Sequence, residues 1–501
     1  MSALRSSRRA CRTDTCTTTS TCRARRRPCS LPSDASAGPP SVGDAGLLSP
    51  VTVGHDEAVT DAAILDALVT AEVALVRAYG AAGLAPAEVV DEIETEFGWE
   101  GELRGCRGHG IDLDALVAAS VSGGNPVIPL VRVLKDRVSE PARVWVHRGA
   151  TSQDIVDSAL MVVGRRAAIH VAASLRHTEI ALRGFARSRR DEVGAARTLT
   201  QHAVPTTIGL RAATWLRGVR RAADRLDAAW RQLPAQLGGA GGTLASFVEI
   251  AGTDAASTLP ATFAHELALA APDAPWHTTR WPVTELGDAL VQAIDAVGVI
   301  AADVATLSRT EIGELAEGAT GGSSAMPQKQ NPAASVLIRS AALRAPQLGA
   351  TLHLASALAV DERPDGAWHA EWPTLRELLR LALGATANAQ RLVEGLHVDT
   401  VAVARNLAAT HGLVVAERLS LVLGPRIGSD GVAALVAAAG AGRDLRQLVV
   451  ALPEAADLDV DALLDPASYT GLAAQLVDHA VAGRSAATPA DADADEREED
   501  A

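Results

Sequence analysis

Residues 318–332 contain the residue types most able to do chemistry in this chain, in the order Gly-Ala-Thr-Gly-Gly-Ser-Ser-Ala-Met-Pro-Gln-Lys-Gln-Asn-Pro. The glycines allow backbone angles that other residues avoid, and Lys329 is one of only two lysines in the sequence. Backbone N–H groups, an ammonium group and the Asn331 amide around Ser323 could stabilise a developing anion while the hydroxyl carries a proton. Pro332 predicts the start of a helix, whose N-terminal end also favours an anion. A plain Gly/Ser connector needs no lysine, so we predict a catalytic loop here.

Hydroxyl and imidazole groups occur together in a second stretch, residues 147–154, which read His-Arg-Gly-Ala-Thr-Ser-Gln-Asp. Thr151 and Ser152 end an extended stretch and precede a long helical pattern, so their hydroxyls could bind a carboxylate at a helix N-terminus. Plain N-capping of that helix explains the same two hydroxyls equally well. His147 could donate a hydrogen bond to a substrate or be a buried structural histidine, and the sequence leaves both interpretations open.

Together with a third stretch, these two resemble the fumarase/aspartase superfamily of lyases. Residues 322–332 look like its signature loop, residues 147–154 like its first sequence block, and residues 197–209 like its second block. The resemblance covers about residues 45–485. It implies an all-α fold with a central bundle of long helices and a homotetramer with a twenty-helix core. It also implies active sites built from three subunits and chemistry without a metal or an organic cofactor.

The resemblance further implies which residues act on the substrate. Those implied to be catalytic are Ser323, Lys329 and Asn331, and those implied to contact the substrate are His147, Thr151, Ser152, Gln201, His277, Ser324, Met326 and Arg363. Residues 275–280 and 368–372 resemble the cycloisomerase branch of the superfamily in particular. A tricarboxylate substrate needs several cationic or donor groups, which His277, Arg363 and His369 could supply. Helix-end packing of the Trp-His elements and a surface salt bridge at Arg363 are the structural alternatives.

Two departures from the family pattern indicate the type of reaction. Leu199 stands where fumarase and the nucleotide-related lyases carry a histidine, and Val336 stands where they carry the glutamate that pairs with it. That couple helps an amine or a hydroxide to leave as its conjugate acid. A carboxylate, whose ordinary pKa is about 4, leaves readily as the anion. The neighbouring His202 is interpreted as a bystander, because one step along the chain changes its direction.

These departures favour cycloisomerisation of 3-carboxy-cis,cis-muconate to a carboxymuconolactone through an aci-carboxylate intermediate, since a carboxylate is the nucleophile there and the leaving group in reverse. An argininosuccinate- or adenylosuccinate-type lyase of the same fold is the first alternative, and Leu199 and Val336 count against it. A non-catalytic structural oligomer is the second alternative, and the intact set of Ser323, Lys329 and Asn331 counts against that.

The pattern of elements that must position these residues is helical. Apolar residues make up 48% of the 501 residues and aromatic residues only 3%, so good helix formers such as Ala and Leu dominate and the composition favours an all-α fold. Long helices are predicted near residues 154–190, 206–232, 283–314, 332–358 and 374–394. In the third of these, apolar residues follow alternating steps of four and three at Leu286, Leu290, Ala293, Val297, Ile300, Val304 and Leu307. This heptad seam predicts long helices packed nearly parallel and oligomerisation through the bundle.

The chain is predicted to have five segments: composition marks the two ends, and the resemblance implies three helical domains between them. They are a disordered Arg/Ser/Thr-rich extension (1–45), an N-terminal helical domain (46–152), a central long-helix bundle (153–395), a C-terminal helical domain (396–485) and a disordered acidic tail (486–501). The extension shows no apolar period and holds an arginine cluster without compensating acids, so we expect the folded enzyme to form without it.

Composition also argues against some partners and compartments. The net charge of −14 argues against nucleic acid as a partner. No uninterrupted apolar run reaches the roughly 18 residues that indicate a membrane-spanning helix. Apart from the N-terminal extension, Cys106 is the only cysteine, which fits a reducing compartment and predicts a cytoplasmic protein.

Overall fold

The computed structural model describes residues 46–101, 104–319, 321–322, 326 and 328–482. The predicted extension at residues 1–45 and the predicted tail at residues 486–501 lie outside the described residues, and so do Ser323 and Ser324 of the predicted catalytic loop.

Within the described residues the fold is mostly helical, which confirms the all-α prediction. The α-helices are α1 (Asp61–Ala81), α2 (Ala87–Phe97), α3 (Leu113–Gly123), α4 (Val127–Asp136), α5 (Glu140–Arg143), α6 (Ser152–Ser188), α7 (Ile208–Arg231), α8 (Ala245–Glu266), α9 (Trp281–Leu307), α10 (Ala333–Ala357), α11 (Gly366–Glu394), α12 (Thr400–Ala408), α13 (Ala416–Gly440), α14 (Leu445–Val450), α15 (Val460–Leu464) and α16 (Ala473–Ala482). Short antiparallel pairs join β1 (Trp99–Glu100) with β2 (Gly105–Cys106), β3 (Val193–Thr198) with β4 (Gln201–Thr207), and β5 (Leu315–Ala316) with β6 (His397–Val398).

The five long helices α6, α7, α9, α10 and α11 form a central bundle with alternating directions. Helices α6, α9 and α11 begin at one end, which we call the near end, because Arg280 just before α9 bonds Asp157 in α6 and Glu371 in α11. Helices α7 and α10 begin at the opposite, far end. There the Gly209 N–H at the start of α7 donates to the Arg189 carbonyl at the end of α6 (2.8 Å), and α10 packs along α9, which it follows in the chain.

The predicted heptad seam on α9 is buried at every position, which confirms it as a packing face. Helix α9 places this face against α7, α10 and α11 of the same chain, so an oligomer would have to use other faces of the bundle. Large apolar side chains do remain exposed on the bundle helices at Val299, Val336, Leu343 and Leu354, and just after α10 at Leu358. Covering them would be favourable at roughly 25 cal/mol per Å² of buried apolar surface.

Two helix boundaries differ from the sequence prediction. Helix α9 ends at Leu307 instead of continuing to about residue 314, because the chain turns there and goes on to form β5; the Glu314 N–H donates back to the Leu307 carbonyl (2.9 Å). Helix α11 begins at Gly366 instead of near residue 374, and it contains Pro373. Burial of Trp368 in its first turn outweighs the backbone hydrogen bond that a proline removes.

The C-terminal part of the chain contains two different kinds of packing. A second hydrophobic cluster, separate from the main core, joins α13 with the short helices that follow it. Helix α16 instead returns to the bundle, where Arg183 in α6 and Arg220 in α7 donate to its carbonyls at Val481 (2.8 Å) and Ala480 (3.0 Å). The division into three helical domains therefore remains a prediction, and α16 packs with the central bundle.

Two helical segments, Trp281–Leu307 and Leu413–Gly440, are long and apolar enough to cross a membrane by length and composition alone. The first is α9, whose apolar seam packs inside the bundle. The second is interrupted at Gly428, where φ is +74°. Core helices meet the same two criteria, so these segments are weak grounds for a membrane span.

Candidate functional site

The near end of the bundle is organised around Asp154, a fully buried carboxylate in the first turn of α6. Its oxygens accept hydrogen bonds from the backbone N–H groups of Thr151 (3.0 Å), Gly238 (2.9 Å) and Gly239 (3.0 Å). The fourth donor is Nε2 of His277, at 2.8 Å. One side chain thus joins the start of α6 to two loops that lie far away in the sequence.

The loop that Asp154 holds is rich in glycine and contains none of the predicted site residues. Residues 238–243 read Gly-Gly-Ala-Gly-Gly-Thr, and Gly239 and Gly242 have positive φ values of +74° and +70°. Such angles favour glycine, because a Cβ atom is strained there. The density of glycine was the available signal, but no local pattern connects this loop with Asp154.

His277, a predicted substrate contact, is 4% exposed and is directed into this buried network. Its Nε2 must donate to the Asp154 carboxylate, so Nδ1 is the ring nitrogen left for another hydrogen bond. Nδ1 is buried and has no hydrogen-bond partner among the described residues. Any contact of His277 with a substrate would therefore have to use Nδ1.

A buried ion cluster lies directly behind Asp154 at the near end. Arg280, fully buried, donates to both oxygens of Asp157 (2.7 and 3.0 Å) and to Glu371 (2.6 Å). Trp368 also donates to Asp157, at 2.9 Å. Burial raises the pKa of Glu371, although the neighbouring guanidinium opposes the shift. The Trp368 indole therefore helps to position this end of the bundle.

His147 is paired with a buried carboxylate. Its Nδ1 lies 2.7 Å from Oε1 of Glu72, which is 2% exposed, and its backbone has an uncommon positive φ of +57°. Burial disfavours the imidazolium, but the charge and hydrogen bond of Glu72 outweigh burial and raise the pKa of His147. The pair leaves Nε2 of His147 as the ring nitrogen that could meet a substrate.

Thr151, Ser152 and Arg363 also lie at the near end. Thr151 is the N-cap of α6 in a capping box with Asp154, and Ser152 is the first helical residue. N-capping therefore accounts for Thr151 structurally, without removing it as a candidate. Arg363 donates to the Ala240 carbonyl in the glycine-rich loop (2.9 Å) and forms no ion pair among the described residues. The salt-bridge alternative for Arg363 is thus not what the structure shows.

The second family block forms the β3–β4 hairpin at the far end. Next to its tip the hairpin is held by Glu314, a buried carboxylate that accepts from Arg197 (2.5 and 3.0 Å) and from Asn406 (2.8 Å). At its tip, Leu199 is 95% exposed and has a positive φ of +47°. Gln201, a predicted substrate contact, is also exposed, and its side chain bonds only the Thr200 hydroxyl (3.4 Å) among the described residues.

The signature loop also lies at the far end, between α9 and α10. Gly321 and Asn331 close its base through paired backbone hydrogen bonds of 2.9 and 3.0 Å. The Lys329 N–H donates to the Met326 carbonyl (3.0 Å), and both side chains are exposed. The loop therefore presents its predicted cation to the surface of the single chain.

The N-terminus of α10 does not offer the free anion site that Pro332 suggested. The carboxylate of Glu317 already accepts hydrogen bonds from the N–H groups of Ala334 (3.1 Å) and Ser335 (2.8 Å), and from the Ser335 hydroxyl (2.7 Å). A substrate anion in this loop would therefore depend on Lys329, Asn331 and loop N–H groups. That part of the sequence interpretation was wrong, because it overlooked an acid that precedes the loop.

The predicted site residues divide between the two ends of the bundle. His147, Thr151, Ser152, His277 and Arg363 lie at the near end, whereas Gln201, Met326, Lys329 and Asn331 lie at the far end. The 27 residues of α9 separate the ends by about 40 Å at 1.5 Å per residue. No small substrate spans that distance, so the two groups can act together only across different copies of the chain.

In the part of the chain that the structure describes, other reactive groups do not form a metal centre. Among the described residues, no group of three or more His, Cys, Asp or Glu side chains is arranged to hold a metal ion. Burial raises the pKa of Cys106 to about 12, so its thiol is a poor nucleophile at neutral pH. The prediction of chemistry without a metal or cofactor is left untested by these observations.

Known proteins resemble this chain in both sequence and structure. A family model described as Lyase matches residues 112–346. A nitrosuccinate lyase of Streptomyces davaonensis is 45% identical over 469 residues, covering 90% of this chain and 97% of that protein. A 3-carboxy-cis,cis-muconate cycloisomerase of Pseudomonas aeruginosa is 39% identical over 439 residues, covering 84% and 92%. The crystal structure of the 3-carboxy-cis,cis-muconate lactonizing enzyme from Pseudomonas putida matches with a TM-score of 0.78 at 34% identity, covering 87% and 98%.

Proposed function

The chain belongs to the Lyase family of the fumarase/aspartase superfamily, and we propose that it eliminates a weakly basic anion from a carboxylate substrate, with nitrosuccinate as that substrate. The observation that carries the proposal is the apolar pair at the positions of the family's proton-donating couple. Leu199 and Val336 are 95% and 53% exposed, and neither side chain can carry a proton. A leaving group at such a site must depart as a stable anion.

Nitrite meets this requirement. Nitrosuccinate carries its nitro group on a carbon next to one carboxylate. Removing a proton from the neighbouring carbon and breaking the C–N bond gives fumarate and nitrite, with the electron pair of that bond leaving on nitrite. Nitrous acid is at least as acidic as a carboxylic acid, so nitrite needs no proton donor. The 45% identity to a nitrosuccinate lyase, over 97% of that protein, favours this substrate.

Cycloisomerisation of 3-carboxy-cis,cis-muconate is the second candidate. The 39% identity to a cycloisomerase and the TM-score of 0.78 with a lactonizing enzyme favour it. The same chemical logic applies, because a carboxylate adds to a double bond and would be the leaving group in reverse. An amine-eliminating lyase is not favoured, since it would need the missing couple.

In either reaction the signature loop handles the proton and the charge. The oxygen of Ser323 takes a proton from the carbon next to a carboxylate in the elimination, or delivers it in the lactone closure. Lys329, Asn331 and loop N–H groups stabilise the aci-carboxylate. Thr151 and Ser152, at the N-terminus of α6, bind another carboxylate. The remaining proposed substrate contacts are His147, Gln201, His277, Ser324, Met326 and Arg363.

The separation of the two ends supports a shared site. A homotetramer that brings the near end of one copy to the far end of others would complete it, and the exposed apolar side chains of the bundle helices would be buried in that assembly. We also propose that the enzyme is cytoplasmic, with a small carboxylate substrate and no nucleic-acid partner.

Incubating the purified protein with nitrosuccinate and with 3-carboxy-cis,cis-muconate tests the proposal. We expect stoichiometric nitrite and fumarate from nitrosuccinate. Loss of the ultraviolet diene band of 3-carboxymuconate without any nitrite release would favour the second candidate. Turnover of argininosuccinate or adenylosuccinate, with neither of the first two substrates consumed, would overturn both.

The substitution Leu199→His tests whether the leaving group departs without a proton. If the anion leaves without a proton, restoring the histidine should give no large gain in rate on the active substrate. Leu199→Gln, which adds polarity without a titratable group, is the matched control. A gain of tenfold or more for the histidine variant alone, about 1.4 kcal/mol of barrier, would mean that protonation of the leaving group limits the reaction.

A further inference from the structure

A cleft of about 930 Å³ lies between the N-terminal segment and the middle of α6. We call it the basic cleft, because its lining includes six side chains that are cationic or can become so: His55, Arg107, Arg165, Arg166, His170 and His177. The acidic side chains in the same lining are Glu57 and Asp66. Arg166 follows the start of α6 by 14 residues, about 21 Å at 1.5 Å per residue, so the cleft is distinct from the near-end site residues.

Most of these side chains lack a hydrogen-bond partner in the part of the chain that the structure describes. Arg107, Arg166, His170 and His177 form no side-chain hydrogen bond or ion pair among the described residues. Asp66 is engaged by His109, whose Nε2 lies 3.1 Å from Oδ1. Arg165 only stacks over the Trp230 ring, at 5.4 Å. The three guanidinium groups of the cleft therefore outnumber its two carboxylates, and the Asp66 charge offsets only part of the repulsion at Arg166.

The arrangement of these cations is electrostatically unfavourable without an anion. Arg166 is half-buried on α6 beside Arg107 from the loop after β2, and burial together with the Arg107 charge lowers the pKa of Arg166. Like charges that are partly removed from water repel more strongly than they would at an exposed surface. Charge-assisted hydrogen bonds to an oxyanion would relieve that repulsion and would use guanidinium N–H groups that form no hydrogen bond among the described residues.

We propose that the basic cleft binds a small anion carrying two or more oxyanion groups, at a site separate from the reaction centre. The basic side chains on α6 extend from Arg166 to His177, about 16 Å at 1.5 Å per residue, which suits an anion whose charges are spread over more than one group. Polycarboxylates and polyphosphates share this chemistry. The site does not depend on which substrate the enzyme uses.

Calorimetric titration of the full-length, assembled enzyme with citrate and with pyrophosphate tests this inference. We expect at least one of the two to bind with one site per chain, and the preferred anion tells carboxylate from phosphate recognition. Arg166→Gln should weaken that binding tenfold or more. Arg132→Gln, a matched control on the exposed face of α4, should change it less than twofold.

Two further variants distinguish the basic cleft from the reaction centre and from misfolding. Arg107→Gln alters an exposed loop residue and should weaken binding like Arg166→Gln, without any risk to the bundle. Lys329→Gln should leave the binding unchanged. Absence of a one-per-chain site for both anions would overturn the inference, because a neighbouring copy would then cover or neutralise the cleft. Binding that is lost in Lys329→Gln and kept in Arg166→Gln would also overturn it, since the anion would then sit in the reaction centre.

Discussion

At the scale of single residues, the pair formed by His147 and Glu72 shows how a buried partner sets the charge of a site residue. Glu72 is 2% exposed, and its second carboxylate oxygen has no partner among the described residues. Its carboxylate therefore acts mainly on the imidazole 2.7 Å away. A cationic His147 would attract a substrate carboxylate, whereas a neutral one could only donate or accept a hydrogen bond.

Glu72→Gln should make this effect measurable. The folded-state pKa of His147 is raised above the ordinary 6.5, so the pair stabilises the fold fully below that value, and the stabilisation is lost as the pH rises through the raised pKa. The free energy of unfolding of the variant should therefore be lower than that of the native protein at about pH 6, and this difference should shrink by about pH 9. Urea unfolding at the two pH values and the NMR titration of His147 check this. An unchanged His147 titration in the variant would contradict it.

Ser323→Ala should leave folding and assembly intact and lower turnover by about 10²–10⁴-fold, the usual loss for a positioned acid or base. Ser324→Ala, the matched control one residue along, should cost much less. Lys329→Arg should also lower turnover, because the guanidinium is bulkier than the ammonium group and spreads its charge over a plane. Steady-state turnover of the three variants is the measurement. Near-normal turnover of Ser323→Ala, with loss in Ser324→Ala, would place the catalytic role on the other serine.

At the scale of elements, the starts of α6, α9 and α11 are tied to one another through Arg280. The guanidinium joins α6 and α11 to the residue just before α9, with every partner buried. Desolvating three charges is costly, and here the cost is offset only by the close geometry of the cluster. The buried ion cluster of Arg280, Asp157 and Glu371 therefore positions the near end more than it stabilises the whole fold.

Arg280→Met should be strongly destabilising, by about 3–5 kcal/mol, because it leaves Asp157 and Glu371 buried without their counterion. Arg426→Met is the control, since it breaks an exposed pair with Asp457 (2.5 Å) and should change stability little. Denaturant unfolding of both variants gives the comparison. Equal effects from the two substitutions would show that the buried ion cluster contributes no more to stability than a surface pair.

The helices were predictable from the sequence because their apolar period is local, and the α9 seam is buried as its spacing indicates. The environment of the site residues was not predictable in the same way. His277 is held by Asp154, 123 positions away, and Glu317 occupies the N–H groups of α10 that a substrate was expected to use. Contacts between distant segments leave no periodic trace in a single sequence.

At the scale of the whole molecule, the length of the bundle keeps the two halves of the predicted site about 40 Å apart at 1.5 Å per residue along α9. The sequence blocks were recognisable one by one, but only the helix directions show that they cannot meet within one chain. A shared site also explains why an apolar residue such as Leu199 can stand at an exposed hairpin tip, since the tip would be covered by another copy.

Mixing two inactive variants tests this sharing most directly. His147→Ala damages the near end and Ser323→Ala the far end, and co-expression with separate affinity tags yields mixed oligomers for assay on whichever of the two substrates the native enzyme turns over. In the mixed oligomers, half of the near ends and half of the far ends are intact. If each site takes its two ends from different copies, about one site in four has both ends intact, and activity should return to about a quarter of the native value. Co-expressed Ser323→Ala and Lys329→Gln, both damaged at the far end, should stay inactive. Mixed oligomers of His147→Ala and Ser323→Ala that stay equally inactive would contradict a site shared between copies.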